Sequence, residues 1–222
     1  MTKTDSVSRS DEIPPKREPS EPEIAAVRYA EQGWSVLPGS AFNGRRYVVP
    51  GTVKVTDGVR PIVARNLATT DPEQAARWWQ VADDRLVPTV LLRSGPSFGF
   101  VSVAANLAKL VLRTEVWQSE PGPVLYREDL VRAHFLVDSH ELSVSGHQPG
   151  EVVELARGEW VAAPPSRTFG GDVVWWVAPE TVEWCPVNAS VLGAALTVAC
   201  RDRDTDAALR GLWKAVGADA QA

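Results

Sequence analysis

Between residues 89 and 177 the chain carries seven short apolar and β-branched runs: Thr89–Arg93, Phe98–Ala104, Val124–Arg127, Ala133–Asp138, Val152–Leu155, Trp160–Ala163 and Val173–Val177. Runs of this length, bounded by Gly, Pro, Ser and Asp, read as strands. A single helical pattern interrupts them at 105–118, where Leu107, Leu110, Val111 and Thr114 recur on one side. Strict strand–helix–strand alternation, the mark of a parallel sheet with crossover helices, is missing. The expected fold class is therefore α+β, a mixed or largely antiparallel sheet with flanking helices.

Two helix starts precede the strands. Ser20-Glu21-Pro22-Glu23 sets Ser three residues ahead of Glu, a capping box that tolerates Pro in its first turn. The helix that follows, over 24–32, meets Gly33, a good C-terminal cap. Trp34–Pro38 reads as a short strand, and 39–67 as a long loop with a hairpin, rich in Gly, Arg and Val. Asp71-Pro72-Glu73-Gln74 opens a second helix with Ala75, Trp78 and Trp79 on one face. Two helices are expected near the end, about 189–200 and 204–216, with Arg201-Asp202-Arg203-Asp204 as a solvated connector. Residues 1–20, rich in Ser, Pro and charge, read as a disordered tail. The expected layout is a tail at 1–20, a domain at 21–186 and a C-terminal helical extension at 187–222.

Composition narrows the function classes. A net charge of −5 argues against a strongly basic nucleic-acid binder and leaves room for a local basic groove. With 44% hydrophobic residues the chain can build a core. No apolar run approaches the ~20 residues of a membrane span, and the polar N-terminus has no apolar leader segment, so a cytoplasmic placement is expected. Cys185 and Cys200 belong to no C-x-x-C pair, which excludes a zinc site built on cysteine pairs and points to buried thiols. The nine Trp read as core and edge packing, with base stacking as the alternative for an exposed ring. His140 and His147 lie in a polar loop without ligand spacing.

Three stretches carry more than generic information. They are Ala26-Val27-Arg28-Tyr29-Ala30-Glu31-Gln32-Gly33-Trp34-Ser35-Val36-Leu37-Pro38, then Leu67-Ala68-Thr69-Thr70-Asp71-Pro72-Glu73-Gln74-Ala75-Ala76-Arg77-Trp78-Trp79, then Gly158-Glu159-Trp160-Val161-Ala162-Ala163-Pro164-Pro165-Ser166. In this order and spacing the chain resembles the bifunctional DNA primase/polymerase N-terminal domain of the archaeo-eukaryotic primase superfamily, over about residues 24–185. The resemblance implies a primase-polymerase fold with an RRM-like sheet. In active members it implies template-directed nucleotidyl transfer by two metal ions held on an Asp-x-Asp pair and a later acidic residue. Residues i and i+2 of a strand point to one face, so two such carboxylates can share a divalent cation.

This chain departs from that pattern. After the Ser-Gly turn the pair falls on Ala104 and Asn106, or with a shift of two on Ser102 and Ala104. No acidic residue occurs between Asp84 and Glu115, so neither register supplies a carboxylate. The later acid corresponds to Glu154, with Arg157-Gly158 keeping the basic residue that follows it. The family's Gly-Gly-x-His nucleotide element reads Val131-Arg132-Ala133-His134, with the histidine kept and both glycines lost. By resemblance His134 contacts the incoming triphosphate and the turn at Ser166-Arg167 lines the groove; Val131 and Arg132 in place of the glycines narrow the pocket, and Arg132 offers a phosphate contact of its own. His134 also fits a plain strand histidine, and Arg167 a solvated strand exit.

The expected nucleotide-binding residues are therefore Arg132, His134, Arg157, Ser166 and Arg167, with no catalytic or metal-ligating residue assigned. The reading is a primase/polymerase-like domain, catalytically inactive, that binds single-stranded DNA, a nucleotide or a replication protein. Two alternatives stay open. One is an active primase/polymerase that recruits Mg²⁺ or Mn²⁺ through a rebuilt site with Glu154, Asp129 or Asp138. The other is a pure protein-interaction module. Convergence of Arg132, His134, Arg157 and Arg167 on one concave surface favours ligand binding; scattering favours the interaction module.

Overall fold

A computed structural model describes residues 18–80, 86–129, 131–138 and 142–219, excepting the side chains of 206 and 208–219. Most of the expected tail at 1–20 lies outside these residues. The chain runs α1 (Glu21–Glu31), β1 (Val36–Gly39), β2 (Ala41–Phe42), β3 (Tyr47–Val48), β4 (Val55–Thr56), a 3-10 turn (Arg65–Leu67) and α2 (Pro72–Gln80). It continues with β5 (Thr89–Arg93), β6 (Gly99–Ala104), α3 (Ala105–Val111), α4 (Glu115–Ser119), β7 (Val124–Arg127) and β8 (Arg132–Val137). Then follow β9 (Val152–Glu154), β10 (Trp160–Ala162), β11 (Arg167–Thr168), β12 (Gly171–Val177), a second 3-10 turn (Pro179–Val182) and α5 (Ala189–Asp219).

The strands form three antiparallel sheets among the described residues, which makes the fold α+β. One has the order β1-β5-β10, the largest β11-β12-β7-β8-β6-β9, and the smallest is the meander β2-β3-β4. The six-stranded sheet is the middle layer. Its Phe100, Leu125, Leu136 and Val173 join a core with Val90 and Leu92 of β5, Trp34, and Ala26 and Trp79 of α1 and α2. Its Val101, Val103, Phe135 and Val137 face the other way, onto Leu107 and Val111 of α3, Trp117 of α4 and Leu196 of α5. The alternation along β6 and β8 follows the two-residue period of a strand buried on both sides.

The helix starts form as their sequences dictate. Glu23 N–H donates to Ser20 Oγ at 3.4 Å, and Glu73 N–H to Asp71 Oδ1 at 2.9 Å. Two expectations need correction. The helical stretch 105–118 is two helices, because Thr114 takes up a cap, its Oγ1 accepting from the Trp117 amide at 3.2 Å. The expected pair of C-terminal helices is one helix of 31 residues, α5, and Arg201-Asp202-Arg203-Asp204 lies inside it. Arg203 is no solvated connector: its guanidinium meets Glu151 Oε1 at 2.6 Å, with the two side chains only 19% and 16% exposed. That bond holds the Glu151 carboxyl below its usual range. Close approach of α5 to the 142–145 segment requires Gly193, where a Cβ would meet the Ser143 carbonyl. The long loop at 39–67 holds the small meander. Of the two cysteines, Cys200 is buried as expected and Cys185 is exposed; both are free thiols. No helix among the described residues is long and apolar enough to cross a membrane.

Trp34 anchors the first core. It is 2% exposed and stacks on Tyr29, with Phe98 and Trp184 edge-on at 5.3 and 5.2 Å. Trp34→Ala is expected to cost about 3–5 kcal/mol in urea denaturation. Val53→Ala, at a fully exposed side chain, is expected to stay within about 0.5 kcal/mol.

Candidate functional site

A cleft of about 340 Å³ lies between the two larger sheets. Leu125, Arg127, Arg132, His134 and Val173 line it from the six-stranded sheet, and Trp160 and Ala162 from β10. Leu155, Thr168 and Val59 border it as well. Strand pairing explains the gathering. Ser102 stands opposite His134 and Ala104 opposite Arg132; on the other side of β8, Leu125 stands opposite His134. Paired residues share a face, so Ser102, Ala104, Arg132 and His134 form one patch beside Leu125 and Arg127.

Arg132 is tied down on this patch. Its Nε donates to Ser102 Oγ at 2.7 Å and its Nη2 to the Ser102 carbonyl at 2.7 Å. Nη1 donates to the Gly150 carbonyl at 2.9 Å, and Nη2 also reaches Glu151 O at 3.4 Å. All three guanidinium nitrogens are thus engaged with β6 and the loop before β9. This is where the resemblance places the metal ligands.

The Mg²⁺ or Mn²⁺ pair implied by that resemblance does not fit these residues. Ala104 has no ligand atom. Asn106 is exposed on α3 and its Oδ1 already accepts from the Leu107 amide at 2.9 Å. Glu154 pairs with Val101, which puts it on the opposite face of the sheet from Ser102 and His134. Asp129 is bonded to Arg127 at 2.6 Å, and Asp138 caps α5 through the Ala189 amide at 3.0 Å. A guanidinium already sits on β6, and it would repel a second cation. Among the described residues no three His, Cys, Asp or Glu side chains cluster so as to hold a metal ion.

His134 faces the cleft with its Nδ1 buried and without a hydrogen-bond partner. Burial lowers its pKa to about 4, helped by the positive charges of Arg132 and Arg127. It is therefore a neutral imidazole at neutral pH, able to donate from one nitrogen and accept at the other. The lasting positive charge of the cleft comes from the two arginines. Arg127 is held by Asp129, whose carboxylate packs where a Cβ at Gly170 would fall. Apolar walls, two guanidinium groups and a neutral histidine suit a small, partly planar ligand with an anionic group.

The other expected residues lie elsewhere. Ser166 is buried, and its Oγ accepts from the Val90 amide at 2.8 Å, which fixes the strand exit to β5. Arg167 is exposed and loosely faces Asp172 at 3.7 Å, while its neighbour Thr168 lines the cleft. Arg157 is exposed in the β9–β10 turn, in a separate shallow depression with Glu154. The structure thus brings together Arg132 and His134, adds Arg127, and leaves Arg157, Ser166 and Arg167 outside the cleft lining. Arg127 was missed in the sequence; its signal is that it follows Leu125 by two in a strand, which puts both on one face.

The depressed His134 pKa has a testable consequence. The unfolded chain takes up a proton near pH 6.5 that the folded chain takes up only near 4. Stability is therefore expected to fall as pH drops between these values, and His134→Gln to flatten that part of the profile. Imidazole resonances of His134 in an NMR titration should stay in the neutral form down to about pH 5.

No curated protein and no solved structure matches the chain. A family does: residues 26–188 match the family described as bifunctional DNA primase/polymerase, N-terminal. That stretch includes every cleft-lining residue and most of the chain, so the protein belongs to the bifunctional DNA primase/polymerase N-terminal family.

Proposed function

We propose that this domain binds a nucleotide or a single-stranded nucleic acid in the Arg127–Arg132–His134 cleft and does not catalyse nucleotidyl transfer. The observation that carries the reading is the Arg132 guanidinium on Ser102, a fixed cation on the strand where a polymerase needs carboxylates for metal. Without those carboxylates the charge developing on the attacking and leaving oxygens has no counter-ion. What remains is recognition. Arg127, although paired with Asp129, offers guanidinium charge to a phosphate, His134 a neutral polar contact, and Trp160, one face of which carries Arg65, an aromatic wall. Arg132 adds its charge, while its donors hold the β6–β9 side of the cleft in shape.

The active alternative would need Glu154, Asp129 or Asp138 to reach the cleft face. The first lies across the sheet and the other two hold structural bonds. Of Arg132, His134, Arg157 and Arg167, only the first two share the concavity, so their convergence is partial, and it is the addition of Arg127 that favours a ligand over a pure interaction module.

Purified protein with Mg²⁺ or Mn²⁺, labelled deoxynucleotides and primed single-stranded template is expected to yield no extension product. Calorimetry with a mononucleotide should show binding that EDTA leaves unchanged and that Arg127→Ala weakens about tenfold or more. Metal-dependent product that disappears in Glu154→Ala would overturn the reading.

A further inference from the structure

One stretch of this acidic chain is strongly basic. Residues 43–65 hold five Arg or Lys and a single acid, Asp57, in a chain whose net charge is −5. The stretch contains β3 and β4 and the connections around them. Arg45, Arg46, Lys54 and Arg60 are exposed there, and none pairs with a carboxylate among the described residues. Arg28, Arg77, Arg127 and Arg203, by contrast, each have a carboxylate partner. Uncompensated charge held on a small sheet is an electrostatic footprint for a polyanion.

The same surface carries an exposed aromatic ring. Phe169, in the turn between β11 and β12, is 79% exposed. It is not a loose side chain. Its amide donates to the Tyr47 hydroxyl at 2.8 Å, and its ring stands edge-on to Phe42 at 6.2 Å. Phe42 and Tyr47 are paired across β2 and β3, so the meander fixes the backbone and edge of Phe169 and leaves most of the ring open. A held, open ring docked on the meander whose turns carry the unpaired basic residues suits a strand that stacks one base and meets the charges with its phosphates. The chain leaving the meander borders the cleft: Val59, after β4, lines it, and Arg65 lies over the Trp160 ring at 4.2 Å.

We infer that the β2–β3–β4 meander and Phe169 form a second, metal-independent site that binds single-stranded nucleic acid, with Phe169 stacking on a base. The inference extends the reading of the cleft, on which it rests for the class of ligand, but its residues are separate from Arg127, Arg132 and His134. Stacking and charge select a flexible single strand over a stacked duplex, whose base faces are covered.

The test is fluorescence anisotropy of the full chain with labelled oligothymidylate about 20 nucleotides long. Three proteins are compared with wild type: Phe169→Ala, the triple Arg45→Gln/Arg46→Gln/Lys54→Gln, and the cleft variant Arg127→Ala. Thermal melts check that each is folded; all these positions are exposed. Phe169→Ala is expected to weaken binding about fivefold or more. The triple variant should weaken it at least tenfold and lower the slope of log K against log salt by about two. Arg127→Ala should leave most oligonucleotide binding in place. Wild type that binds no oligonucleotide, or binding that survives both surface variants, overturns the inference. Binding lost only in Arg127→Ala also overturns it and leaves the cleft reading intact. Oligonucleotide binding through Phe169 with no mononucleotide binding does the reverse: it sinks the cleft reading and keeps this one.

Discussion

The bonds from Arg132 to β6 shape everything around the cleft. A guanidinium laid along a strand satisfies the Ser102 hydroxyl and carbonyl and draws the 150–151 backbone onto the same group. One side chain thus joins β8, β6 and the approach to β9. It also adds to the electrostatics: burial first, and then this permanent cation, hold the neighbouring histidine neutral. The charge that does this can neither dissociate nor exchange.

Features of the fold that depend on local chemistry were legible in the sequence. Ser20 and Asp71 cap their helices because the capping bond spans only two or three residues. The strand runs between 89 and 177 emerged because burial on one or both faces leaves a pattern in the residues themselves. Two expectations failed for different reasons, one where a distant partner decided the outcome and one where a local side chain fits two roles. Arg203 looked like part of a connector, but its partner Glu151 lies 52 positions away and holds it within one helix. Thr114 looked like a helix interior residue, although its hydroxyl serves equally well as a cap.

The site divides along the same line. His134 was legible because its place in a motif could be read directly. The role of Arg132 was not, since its acceptor on Ser102 is 30 positions away and only the register of β6 with β8 brings them together. Ser166, expected at the groove, is instead bound to the backbone of Val90, 76 positions distant. A buried hydroxyl in a Pro-Pro turn looks the same in sequence whether it meets a ligand or a neighbouring strand. Long-range hydrogen bonds, more than hydrophobic pattern, separate a side chain open to the cleft from a structural one here.

The family match stops at residue 188, one position before α5 begins. The tertiary structure has no seam there. Leu192, Leu196 and Ala199 of α5 are buried in the second core, and Arg203 grips the loop whose carbonyls receive Arg132. A fragment trimmed to the family-matched stretch would bare a hydrophobic wall and loosen the floor of the cleft from behind. The terminal helix is therefore a buttress of the second core, and the packing runs on past the boundary drawn by kinship.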